Sequence, residues 1–139
     1  MKIIALDWGE KRIGVAISDD LGKIARGLTV IDDADYASRL RKMGTIIEDY
    51  QVKEMVIGLP FRLAGNRGEE ANQIERLAEK LKDEFQIPVH LQDERLSTKE
   101  VERLLVSFDL SRGKRKKIRD KLAAQIILQT FLDKKNVHK

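Results

Sequence analysis

The stretch Ile3-Ile4-Ala5-Leu6-Asp7-Trp8-Gly9-Glu10-Lys11-Arg12-Ile13-Gly14-Val15-Ala16-Ile17-Ser18 decides the fold. Its first four residues are apolar on both alternating faces, the mark of a strand buried on both sides. Asp7 to Lys11 reads as a turn. Ile13, Val15 and Ile17 then alternate with Gly14, Ala16 and Ser18, a period-two strand with small residues on one face. The connection is too short for a parallel crossover, so the two strands form an antiparallel hairpin. Asp19-Asp20-Leu21-Gly22 makes a second turn, and Lys23 to Ile31 extends the meander as a third strand.

Beyond this meander the period changes. Tyr36, Leu40, Met43, Ile47 and Tyr50 keep one face of an amphipathic helix. Val52 to Leu59 is a strand ended by Pro60, and Phe61 to Gly68 is a loop. Ala71, Ile74, Leu77, Ala78, Leu81 and Phe85 return to helical spacing, which predicts a helix from Glu69 to Glu84. Val89-His90-Leu91 is the last strand. Ser97-Thr98-Lys99-Glu100 fits a capping box for a short helix ending near Val106. A basic loop then leads into a final helix from Lys117 to Asp133. Right-handed crossovers place the two later strands parallel to the first. The expected class is α/β: a mixed five-stranded sheet, three antiparallel strands then two parallel, with helices on both faces. With no repeat or linker, residues 1–139 read as one domain.

Composition narrows the chemistry. The 139 residues contain no cysteine, which excludes disulfide scaffolds, thiolate zinc sites and cysteine nucleophiles. No apolar run is long enough for a signal peptide or a membrane span, so the expected compartment is the cytoplasm. Net charge is +4, yet Arg112, Lys114, Arg115, Lys116, Lys117 and Arg119 alone contribute six cations. The remainder therefore carries 4 − 6 = −2: a near-neutral body with one cationic segment. Such a segment suits a phosphate backbone, or is simply a solvated basic loop.

Three places supply acids. Asp7 ends the first strand, Asp93 and Glu94 end the last, and the carboxyl ends of parallel strands are where α/β sheets gather ligands. Asp7 alone fits a turn cap as well as a ligand. Asp120 shares its helical face with Ala123, Ala124 and Ile127, so it points at the sheet. A buried carboxylate needs a cation or a raised pKa. For Asp120 two partners stand open, a metal ion or the neighbouring cationic segment. Carboxylates converging at a sheet edge suit hard cations such as Mg²⁺ or Mn²⁺. They do not suit zinc, because His90 and His138 are the only histidines, one inside a strand and one in the tail. Strand alternation separates Asp93 from Glu94 without choosing between them.

Four segments carry a resemblance. They are Asp7-Trp8-Gly9-Glu10-Lys11-Arg12-Ile13-Gly14-Val15-Ala16-Ile17-Ser18-Asp19, Val56-Ile57-Gly58-Leu59-Pro60, Asp93-Glu94-Arg95-Leu96-Ser97-Thr98 and Asp120-Lys121-Leu122-Ala123-Ala124. In this order and spacing the chain resembles the YqgF family, also called RuvX, of RNase H-like nucleases. The resemblance implies an RNase H-like fold, and Asp7, Glu94 and Asp120 as catalytic, metal-binding acids; it selects Glu94 over Asp93. Ser97 stands where the family often has threonine, and the run from Phe61 to Asn66 departs from the usual one. Gly9, Gly14, Gly58 and Pro60 are the structural residues near the site. Lys11, Arg12, Arg95, Lys114, Arg115, Lys116 and Lys117 are the nucleic-acid-binding candidates. Lys11 and Arg12 read equally as hairpin charges, Arg95 as a partner of Asp93, and Trp8 as a packing residue rather than a base-stacking one.

The leading expectation is a Mg²⁺-dependent phosphodiesterase acting on structured nucleic acid. By resemblance its substrate is the 5′ end of precursor 16S ribosomal RNA, or else a four-way DNA junction. The chain would work without a membrane, as a monomer or homodimer. Two other classes compete. An acid-turn-glycine hairpin also occurs in actin-like ATPases and sugar kinases, which need two such domains. A non-catalytic nucleic-acid-binding module would use the basic segment alone.

Overall fold

The computed structural model describes residues 1–60, 68–94 and 112–137. Strands β1 (Lys2–Trp8), β2 (Ile13–Ser18) and β3 (Ala25–Ile31) form the expected meander. Helix α1 (Tyr36–Tyr50) follows, then β4 (Val52–Pro60), α2 (Gly68–Phe85), β5 (Val89–Glu94) and α3 (Arg112–Val137). The capping-box helix and the loop after Pro60 lie outside the described residues. The five strands form one sheet in the order β3-β2-β1-β4-β5. β1 runs antiparallel to β2 and parallel to β4, which is parallel to β5. The strand ends of Asp7 and Glu94 are thus separated by β4 alone.

Strand alternation splits the core in two. Ile4, Leu6, Ile13, Val15, Ile17, Met55 and Ile57 pack on one face with Met43 of α1 and Ile74, Ala78 and Leu81 of α2. Ile3, Ala5, Ala16, Ala25 and Val56 pack on the other face with Ala124, Ile127, Leu128 and Leu132 of α3. Helix α1 starts where Asp35 accepts a hydrogen bond from the Ser38 amide at 2.9 Å, which satisfies one of the free donors of the first turn.

The basic segment differs from its expectation. It is not a loop: α3 begins at Arg112, so Lys114, Arg115, Lys116 and Lys117 occupy its first turns. Apolar periodicity cannot mark those turns because they contain almost no apolar residue. Their helicity follows from continuity with the docked part of α3, since adding a residue to an existing helix costs less than starting one. Side-chain amides of α3 reinforce that docking. Gln125 accepts from the Gly27 amide at 3.0 Å and Gln129 from the Ala25 amide at 2.9 Å. Both donors lie on β3, at the edge of the sheet.

Candidate active site

Two acids from opposite ends of the chain meet for simple reasons of parity and clearance. Asp7 follows Ile3 and Ala5 at intervals of two, so it falls on the α3 face of β1. In the hairpin register it sits opposite Gly14. A Cβ on Gly14 would lie 2.0 Å from the carbonyl oxygen of Asp120. The backbone of α3 therefore rests directly on β2 at that point, which only glycine allows. The result is an open cleft of about 370 Å³ lined by Asp7, Gly9, Glu10, Lys11, Arg12, Arg119 and Asp120.

Crowding of charge is the cleft's main electrostatic feature. The Asp7 carboxyl is raised to about 6, first by burial and then by the charge of Asp120, while Arg119 pulls it down. Asp120 accepts a hydrogen bond from Arg12 Nε at 2.7 Å. That bond is the main reason the Arg12 guanidinium holds its proton more tightly than usual. Asp120 is thus tied to the β1–β2 turn through Arg12. Side-chain exposures of 20% for Arg12 and 15% for Asp120 set this pair apart from an ordinary surface ion pair.

The turn that carries Arg12 is tightly fixed. The Gly9 amide donates to the Arg12 carbonyl at 2.9 Å, and a Cβ on Gly9 would come within 2.7 Å of that oxygen. A residue not expected from the sequence supports the same turn. Arg39 of α1 is buried to 3% exposure. Its Nη2 donates to the Glu10 carbonyl at 2.8 Å and its Nε to the Asp33 carbonyl. Its guanidinium lies 5.0 Å from the centre of the Trp8 ring. Trp8 itself packs against the core and Tyr36. Arg39 stands three residues after Tyr36 and four before Met43, on the apolar stripe of α1; a cation on such a stripe is the signal that would have found it. Arg119, counted only within the basic segment, and Glu10 are lining residues that the sequence did not single out.

The other expected residues fall as follows. Glu94 closes β5 opposite Pro60, and Gly58 lies opposite Gln92. The side chain of Glu94, and all of Arg95, lie outside the described residues. Asp93 pairs in register with Leu59. Lys114, Lys116 and Lys117 are exposed, and Lys117 makes a loose ion pair with Asp32 at 3.5 Å. Arg115 is half-buried, and among the described residues its Nε has no hydrogen-bond partner. His90 does not join the acids: it bonds Glu54 at 3.1 Å, beside the ring of Phe131. Among the described residues no group of three metal-ligating side chains forms. The two acids that do meet offer only oxygen donors. Mg²⁺ commonly takes one or two carboxylates and completes its shell with water and phosphate oxygens, so this donor set fits it.

This sheet order, with α1 and α2 on one face and α3 on the other, defines an RNase H-like fold. It matches the RuvC structure from Thermus thermophilus with a TM-score of 0.55 at 13% identity, covering 98% of this chain and 97% of that one. It also matches the Fowlpox virus resolvase solved with Holliday junction DNA, with a TM-score of 0.59 at 10% identity, covering 96% and 98%. Within this class, the family described as "RuvX: Holliday junction resolvase" matches residues 1–134, and the chain belongs to that family. A relative from Dictyoglomus thermophilum is 46% identical over 136 residues, covering 96% of each chain. One from Oceanobacillus iheyensis is 47% identical over 137 residues, covering 97% of this chain and 100% of the relative. Both bear the name "Putative pre-16S rRNA nuclease".

Proposed function

We propose that this chain is a nuclease that hydrolyses phosphodiester bonds in structured nucleic acid with the aid of Mg²⁺ or Mn²⁺. The observation that carries this reading is the convergence of Asp7 and Asp120 on one cleft, crowded enough for one charge to raise the other's pKa. Glu94 is proposed as the third acid. Alternation along β5 supports that choice over Asp93: Val89 and Leu91 pack with the α1–α2 core while His90 meets Phe131 of α3, so position 94 shares the parity of the α3 face. A bound cation would supply charge to the scissile phosphate and acidify a water molecule.

The chain's own residues divide the remaining work. Asp7 and Asp120 hold two carboxylates at fixed separation, because Gly14 fixes the helix against the strand. Lys11 and Arg12 flank the cleft where a substrate phosphate would enter, and Arg95 is proposed as a further phosphate-binding residue. Lys114, Arg115, Lys116 and Lys117, on the first turns of α3, would bind the flanking backbone through charge. The names of the relatives support precursor 16S rRNA as substrate; the description of the family supports a four-way DNA junction.

The test is a cleavage assay in Mg²⁺ or Mn²⁺ that compares labelled precursor rRNA with a synthetic four-way junction. The expected outcome is cutting near the 5′ end of the RNA, lost in a folded Asp120→Asn variant. Preferential cutting of the junction would make DNA the substrate. Failure of the parent to cut either, or an Asp120→Asn variant as active as the parent, would overturn the nuclease reading.

A further inference from the structure

Arg12 holds an oxygen that the proposed cation needs. Its Nε donates to Asp120 Oδ2 at 2.7 Å, with both side chains mostly withdrawn from water. The contact is built into the fold on both sides. Gly14 brings the Asp120 backbone onto β2, and the Gly9–Arg12 turn is closed by its own hydrogen bond. The second acid of the cleft, Asp7, lines the same space.

Resting on the metal-site reading above, we infer that Arg12 is an internal counter-ion which competes with the divalent cation for Asp120 and is released to a substrate phosphate. With Arg12 on Asp120, the three charges of Asp7, Asp120 and Arg12 sum to −1 when both acids are ionised. A divalent cation added beside that bond would bring the sum to +1 and leave the guanidinium facing a metal. Moving Arg12 onto a phosphate removes the repulsion and restores a charge-assisted bond of the same kind. Guanidinium serves both partners, because its planar array of donors fits a carboxylate and a phosphate alike. Cation and nucleic acid then bind with positive coupling, and each raises the affinity for the other. Free enzyme holds metal weakly, and the site completes itself when a backbone phosphate arrives.

The experiment is Mn²⁺ binding to nucleic-acid-free protein, read by the loss of the free-ion EPR signal. It compares the parent, Arg12→Met, Arg12→Lys, Lys11→Met and Asp120→Asn. Arg12→Met keeps an unbranched apolar stem but removes both charge and donors. Lys11→Met removes an equal charge from the same cleft without freeing an oxygen of Asp120, and so measures the effect of charge alone. Competition at Asp120 predicts Mn²⁺ binding about tenfold tighter in Arg12→Met, the equivalent of one charge-assisted hydrogen bond. Arg12→Lys falls between that variant and the parent, and Lys11→Met changes affinity less than Arg12→Met does. Adding a short RNA should tighten Mn²⁺ binding in the parent more than in Arg12→Met. An Arg12→Met affinity at or below that of the parent, or matched by Lys11→Met, would overturn the role of Arg12 while leaving the metal site standing. Mn²⁺ binding unchanged in Asp120→Asn would instead overturn the metal site, and the inference with it.

Discussion

Replacing Asp7 by asparagine should make the metal-free protein more stable while removing its cleavage activity. The Asp7 carboxyl titrates near 6 in the folded chain against 3.8 for the unperturbed group. The folded state therefore binds this proton more tightly than the unfolded one. Between those two values the native chain carries more protons, so stability falls as pH rises. Below 3.8 the group is protonated in both states and contributes nothing; above about 6 the full penalty of holding it ionised is present. Integration over the shift gives a penalty of about 1 kcal/mol at pH 4.5 and about 3 kcal/mol at pH 8. Because the cleft is open to water, these are upper values.

Asparagine has the shape of aspartate without the charge, so Asp7→Asn should recover most of that difference. The assay is urea unfolding in EDTA at the two pH values, followed by Trp8 fluorescence. The variant should be more stable than the parent by up to about 3 kcal/mol at pH 8, and by about 1 kcal/mol at pH 4.5. Millimolar Mg²⁺ should then stabilise the parent more than the variant, because only the parent retains both carboxylates. A gain of the same size at both pH values, or no gain at pH 8, would refute the claim that Asp7 is a strained ionised acid. Nuclease activity undiminished in the variant would show that Asp7 is not required for the chemistry.

Three further variants test the geometry and the charge around the site. Gly14→Ala places a methyl 2.0 Å from the Asp120 carbonyl; the forced shift of α3 should cost about 1–3 kcal/mol in urea unfolding and abolish cleavage. Gly22→Ala is its control: φ is +67° but nothing lies within 4 Å of the added methyl, so stability falls while cleavage persists, and equal activity in the two variants would remove Gly14 from the site's construction. Replacing Lys114, Arg115, Lys116 and Lys117 together by alanine should weaken nucleic-acid binding and reduce the salt slope by up to about four units. A slope equal to the parent's would exclude these turns of α3 from the interface.

The sheet was legible because its strands obey period two and its connections are short. Ile13, Val15 and Ile17 announce both a strand and the face it buries, and a turn as brief as Asp7 to Lys11 permits one topology. Helices α1 and α2 were legible for the parallel reason at period 3.6. The start of α3 was not, since Arg112 to Lys117 offers no apolar stripe to read. Within the site, the facing of Asp7 and Asp120 follows from local rules, namely strand parity and helix phase. The partner of Asp120 does not. Arg12 lies 108 residues away in sequence, and no local pattern identifies which of 27 basic residues will arrive. Lys116 and Lys117, four and three residues before Asp120, share its helical face and were the nearer choice along the chain, but both are exposed and Lys117 pairs with Asp32 instead.

Gly14, Asp7 and Asp120 together show a cleft assembled against the preference of its own charges. Helix α3 could dock through Ala124, Ile127, Leu128 and Leu132 with its upper turns held farther from the sheet. Gly14 instead lets the helix backbone touch β2 one strand away from Asp7, and the closer approach raises the cost of ionising that acid. The charge of Arg119 offsets part of that cost, and Arg12 holds the neighbouring Asp120 with a single hydrogen bond. Removing the glycine, the acid or the arginine should therefore move stability in different directions: down for Gly14→Ala, up for Asp7→Asn, and down for Arg12→Met in the absence of metal. A construction in which the acid is the destabilising member agrees with the cation site proposed above. On the proposed metal-site reading, the free energy withheld from the metal-free fold would become part of the affinity for a divalent ion.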